Sequence, residues 1–90
     1  MKTYFQEKNF HEARNRAAFY FLRQVGYALP KIRRALLVLN DIKYNELGSH
    51  SSNVSQVLAG KRSDNQVRSR CAEALGIPEE DLFPEDGESL

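Results

Sequence analysis

The chain has 90 residues, 41% apolar and 28% charged; that size fits one modest core, and no apolar run approaches the roughly 20 residues that cross a bilayer. Its opening, MKTYFQEKNF, is too polar for the apolar stretch of a secretory signal, and the single cysteine, Cys71, excludes an internal disulfide framework or a thiolate metal site. The net charge of +1 hides a split: residues 1–70 hold all 13 Lys and Arg against 5 acids, a balance of +8, whereas residues 71–90 hold 7 acids and no Lys or Arg, and a basic body of this kind attracts polyanions.

Residues 9–25, NFHEARNRAAFYFLRQV, read as a first helix. Phe10, Ala13, Ala17, Phe21 and Val25 recur at steps of three and four, which predicts one inward face. Asn9 with Glu12 has the capping-box spacing, and Gly26 suits a left-handed helix end. Phe19, Tyr20 and Leu22 widen the apolar surface beyond one stripe. At this spacing Phe19, Tyr20 and Phe21 read first as core packing, and Phe10, Phe19, Tyr20 and Phe21 are the candidates for a dimer interface should one form.

Pro30 fits the first turn of a second helix, whose predicted inward stripe is Ile32, Ala35, Leu36 and Leu39, with Lys31, Arg33 and Arg34 outside. Asn40 and Asp41 signal a turn. A short helix to Leu47 follows and Gly48 breaks it. Val54, Val57 and Leu58, at i, i+3 and i+4, share one face of a third helical stretch that Gly60 ends. Ser63 and Gln66 have capping-box spacing at the start of the next helix, with Val67, Cys71, Ala74 and Leu75 as its buried stripe. Gly76 and Pro78 close it. Residues 78–83, PEEDLF, make a last turn with acids near its positive end and Leu82 and Phe83 packed inward. From Pro84 the chain is acidic and poor in apolar residues, which predicts a mobile tail. Strand-like alternation is absent throughout, so the expected fold class is all-α.

With Val54, Val57 and Leu58 inward, 100° per residue turns Ser52, Gln56 and Ala59 outward, flanked by Asn53 and Ser55. A stripe of short polar side chains permits close approach to a groove. Amide side chains pair bidentately with the adenine edge, Ala meets a thymine methyl, and the major groove admits one helix. Ser51 or Ser49 is placed to cap this helix, leaving free N–H groups for a phosphate. Lys61 and Arg62, just past its end, suit phosphate contacts that set register without reading sequence. Each of these residues alone reads more simply as solvated surface; their combination carries the expectation.

Two segments, NELGSHSSNVSQVLAGKR and CAEALGIPEEDLF, resemble the lambda-repressor-like helix-turn-helix family, the Cro-and-repressor class, over about residues 30–83. The likeness lies in Gly48 six positions ahead of Val54, in the run from Val54 to Gly60, and in Ala72-Glu73-Ala74-Leu75-Gly76 followed by Pro78, acids, Leu82 and Phe83. Ser49, Tyr44 and Lys43 depart from the pattern, where the family carries a core Val or Ile, a small Ala and a Leu. The resemblance implies a five-helix helix-turn-helix domain over 29–83, an additional N-terminal helical extension over 1–28, and an acidic tail over 84–90.

It further implies sequence-specific binding of double-stranded DNA by a bacterial or phage transcriptional regulator, a repressor in style, located in the cytoplasm at the nucleoid. A helix from about Ser51 to Ala59 would enter the major groove. Ser51, Ser52, Asn53, Ser55 and Gln56 would address bases, while Lys43, His50, Lys61 and Arg62 would hold phosphates. Such regulators commonly act as homodimers on half-sites one helical turn apart. The competing expectation is a helical protein-interaction module, adaptor or antitoxin-like, that keeps the fold without binding DNA.

An enzyme is not expected. His11 and His50 lie far apart, without metal-like spacing to each other or to Cys71. Cys71 falls on a core stripe, which disfavours a nucleophile, and no phosphate-cradling glycine motif occurs. No catalytic residue, metal, cofactor, small-molecule substrate or membrane partner is therefore expected.

Overall fold

Proline and glycine punctuation sets where the helices start and stop. The computed structural model, which describes residues 4–84, has α1 (Tyr4–Gln24), α2 (Leu29–Leu39), a 3-10 turn (Tyr44–Leu47), α3 (Ser51–Leu58), α4 (Asn65–Leu75) and α5 (Glu79–Leu82). Among the described residues there is no strand, and no helix is long and apolar enough to cross a membrane. The acidic tail expected over 84–90 lies, apart from Pro84, outside the described residues.

One core joins all five helices. Ile32, Leu36 and Leu37 of α2 meet Val54, Val57 and Leu58 of α3 and Val67, Cys71 and Leu75 of α4, all buried. Leu82 and Phe83 close one end and Phe19 brings α1 into the same cluster. Cys71 is a buried free thiol whose burial pushes its pKa up to about 12. It stays un-ionised at neutral pH and behaves as a small apolar residue.

The structure corrects several sequence expectations. Helix α1 already runs from Tyr4, so Asn9 lies inside it and caps nothing. Its inward face is not the row Phe10, Ala13, Ala17, Phe21 and Val25, all of which are exposed. It is instead built on Asn15 and Phe19, both buried, with Ala18 and Leu22 packed beside them. The physical reason is a polar exchange that periodicity does not reveal. Asn15 Nδ2 donates to the Leu75 carbonyl (3.2 Å) and to Asn40 Oδ1 (3.2 Å), and Asn40 Nδ2 donates back to Asn15 Oδ1 (3.0 Å). Arg16 donates to the Gly76 carbonyl at 3.2 Å. These side chains satisfy carbonyls at the C-terminal end of α4, which helix geometry leaves without partners. Helix α1 thus packs against the same core as the later helices.

A second correction concerns Arg33, expected outside and found fully buried. Its Nε donates to the Leu82 carbonyl and its Nη1 to the Leu58 carbonyl, each at 2.8 Å, and its guanidinium lies 4.3 Å from the Phe83 ring centroid. The α2 helix rotates accordingly: Leu37 is buried, whereas Ala35 and Leu39 are exposed. On α4, Ala72 rather than Ala74 completes the buried stripe. The cap of α4 is Asp64, not Ser63, because the Asp64 carboxylate accepts from the backbone N–H groups of Gln66 (3.0 Å) and Val67 (3.2 Å).

Candidate nucleic-acid interface

The turn before α3 is built on Gly48, whose φ of +85° lies in the left-handed region that favours glycine. A Cβ at Gly48 would also stand 2.8 Å from Cδ and Nε of Arg70, so this turn runs directly beneath the Arg70 side chain. Upstream, the backbone N–H of Lys43 donates to Glu46 Oε2 at 2.8 Å and fixes the entry of the 3-10 turn. Helix α3 then starts after His50, which stands at its N-cap without a side-chain cap bond. Neither Ser49 nor Ser51 caps it, contrary to expectation, because the cap position falls to His50: Ser51 is already the first helical residue, and Ser49 Oγ accepts from Asn53 Nδ2 instead.

At the far end, the Gly60 N–H donates to the Val57 carbonyl (3.0 Å) and the Lys61 N–H to the Gln56 carbonyl (2.9 Å). This is the paired closure of a Schellman motif, which needs a left-handed residue at Gly60; its φ is +79°. The helix therefore stops abruptly and leaves Lys61 and Arg62 exposed beside its last turn.

Val54, Val57 and Leu58 are buried, which orients α3 as its periodicity predicts. On the other side Ser51, Ser52 and Gln56 are exposed, and Ser55 and Ala59 are half-buried. Among the described residues, none forms a hydrogen bond with the side chains of Ser51, Ser52, Ser55 or Gln56. His50 is exposed at the start of the helix, and Lys43 is exposed ahead of the 3-10 turn.

Asn53 is the exception among the expected base-reading residues. Its Nδ2 donates to Ser49 Oγ (2.8 Å) and to Asp64 Oδ2 (2.9 Å), while its Oδ1 accepts from Arg62 Nη1 (2.8 Å). The amide is engaged within the chain, so Asn53 fixes α3 against the α4 cap and is withdrawn from the outward set. The Asn53 amide, then the N–H groups of Val67 and Gln66 and the nearby Arg62 charge, hold the Asp64 carboxyl below the usual carboxylate range, against a smaller opposing effect of burial. Arg62, expected as a phosphate contact, is pinned through one N–H and remains exposed. A guanidinium has five donors, so most of its capacity faces outward.

Sequence reasoning missed two cations that the fold brings to this surface. Arg34 of α2 reaches the Ser55 carbonyl at 3.5 Å, along one flank of α3. Arg70 of α4 lies over the Gly48 turn with Gln66 beside it. Their spacing from α3 in sequence gives no signal; only the packing of α2 and α4 against α3 places them.

The four candidates for a dimer contact separate. Phe19 is buried in the core and is removed from that role. Tyr20 donates its hydroxyl to Asp81 Oδ2 at 2.6 Å, a bond that also raises its pKa, and so ties α1 to α5. Phe10 and Phe21 are exposed. No cluster of three His, Cys, Asp or Glu side chains able to hold a metal ion occurs among the described residues.

The class defined by this fold and surface is an all-helical protein with a short, outward-facing polar helix bordered by cations. Comparison with protein-family models, curated proteins and solved structures gave no match.

Proposed function

We propose that this protein is a sequence-specific DNA-binding regulator that lays α3 in the major groove, in the manner of the lambda-repressor-like helix-turn-helix family its sequence resembles. The observation that carries this reading is the rotation of α3. Its apolar trio is buried while Ser51, Ser52 and Gln56 stand exposed between cations at both ends. In this reading Gln56 addresses a base edge, Ser51, Ser52 and Ser55 make shorter contacts, and Ala59 lies against a thymine methyl. Lys43, Lys61, Arg62, Arg34 and Arg70 neutralise phosphates on the two sides of the groove, and His50 meets the backbone at the turn. The Asn53–Asp64–Arg62 bridge holds the helix and one of these cations in a fixed relation.

Two substitutions give different signatures in duplex titrations. Gln56→Ala is expected to relax preference at one base-pair position at a cost of about 1–3 kcal/mol on the preferred site. Lys61→Ala is expected to weaken binding nearly equally on all sequences and to reduce the salt slope by about one. Wild-type behaviour of both variants on every duplex contradicts the assignment of α3.

A further inference from the structure

The two sides of the charge split meet at one place in the fold. Arg33 donates from Nε to the Leu82 carbonyl and from Nη1 to the Leu58 carbonyl, each at 2.8 Å. A single guanidinium therefore spans the last turn of α3 and the end of α5. Cations gather at the same turn. Arg34, next to Arg33 on α2, reaches the Ser55 carbonyl at 3.5 Å, and the Lys61 N–H folds back to the Gln56 carbonyl at 2.9 Å. Arg62 follows, exposed and held by Asn53. On the α5 side the chain passes through Phe83, buried against the Arg33 guanidinium, and through Pro84 into Glu85-Asp86-Gly87-Glu88-Ser89-Leu90.

We infer that residues 85–90 are a built-in competitor for the surface around α3, their carboxylates taking the cations that the DNA reading gives to phosphates. The inference rests on that reading for its consequence, and on the arrangement of α3 and α5 for the contact itself.

Reach and charge both favour it. Six extended residues span about 20 Å, whereas the eight residues of α3 rise about 12 Å. A segment that starts beside the C-terminal turn of α3 is therefore long enough to run past the whole helix. It carries Glu85, Asp86 and Glu88 and no Lys or Arg, against Arg34, Lys61 and Arg62 at the nearest turn. Attachment to the same chain makes the contest intramolecular, with an effective concentration on the order of millimolar. Exposed ion pairs are individually weak and are screened by salt. The segment thus lowers affinity for every duplex by a similar factor, and does so least at high salt.

A nitroxide on the Ser89→Cys variant of the full chain reads the contact without DNA. Cys71, a buried thiol un-ionised at neutral pH, stays unlabelled because the thiolate is the reactive form. The amide signals of Ser52, Gln56, Lys61 and Arg62 are expected to broaden at low salt and to recover at high salt, as the ion pairs are screened. Combining Glu85→Gln, Asp86→Asn and Glu88→Gln is expected to abolish that salt response. The same triple variant, unlabelled, is expected to bind duplexes of any sequence about tenfold more tightly at low salt, with the gain shrinking as salt rises. Broadening that ignores salt and the triple variant overturns the inference. So does unchanged affinity of the triple variant for a duplex the protein binds, and so does tighter binding without salt-dependent broadening, which reports net charge alone. Because the label is read without DNA, a salt-dependent contact in a protein that binds no duplex contradicts only the DNA reading, and duplex selection without that contact contradicts only the competitor.

Discussion

Replacing Arg33 by methionine is expected to destabilise the protein by about 2–4 kcal/mol, since each buried carbonyl left without a donor costs about 1–3 kcal/mol. The variant keeps an unbranched apolar stem that reaches only about as far as Nε, and it strips donors from the Leu58 and Leu82 carbonyls, which now receive bonds of 2.8 Å. It also removes a cation from the face of Phe83, an interaction worth about 2 kcal/mol when desolvated. Relief of the buried charge's own desolvation offsets part of this loss. Small domains have about 5–15 kcal/mol in total, so the urea midpoint should fall sharply with the m-value unchanged. A solvent-exposed arginine, as periodicity alone predicts here, would cost less than about 0.5 kcal/mol. A wild-type midpoint for Arg33→Met therefore contradicts the buried placement.

Arg33 also marks the limit of what the sequence reveals. The trio Val54, Val57 and Leu58, the stripe Val67, Cys71 and Leu75, and the closing pair Leu82 and Phe83 are legible because each is apolar and falls at helical spacing. Gly48, Gly60 and Gly76 are legible as stops, and all take positive φ. Arg33 and Asn15 are not, because their partners are backbone carbonyls at least 25 residues away in the chain. Polar side chains read as surface until a distant helix end supplies an acceptor. On α1 the spacing identifies an apolar row correctly as a row, but periodicity does not say which row the rest of the chain covers. The row from Phe10 to Val25 is left exposed, and Asn15 and Phe19 turn inward instead.

The candidate interface divides in the same way. The outward position of Ser52 and Gln56 follows from three buried neighbours on one short helix, so it is readable locally. The engagement of Asn53 with Asp64 depends on how α4 begins, eleven residues on. Arg34 and Arg70 come from helices before and after α3, and their arrival at its flanks is a property of the packed fold.

Affinity for duplex DNA is expected to fall about 10³-fold or more between roughly 50 and 200 mM salt. The DNA reading assigns five cations of one copy to phosphates: Lys43, Lys61, Arg62, Arg34 and Arg70. If two copies bind together, six or more phosphate contacts form, and each releases close to one counterion. The same measurement separates the two classes of function. An adaptor or antitoxin-like module that binds a protein through exposed apolar side chains such as Phe10 and Phe21 would show little salt dependence, since burial of apolar surface is not screened. A nearly flat salt response for the physiological partner supports that class and contradicts DNA binding.

Selection of bound sites from a random duplex pool tests most directly whether the open side of α3 reads sequence. The expected result is enrichment of a short motif, repeated as a palindrome if two copies bind together. Retention of duplexes without any enriched sequence, or no retention at low salt, would contradict that reading.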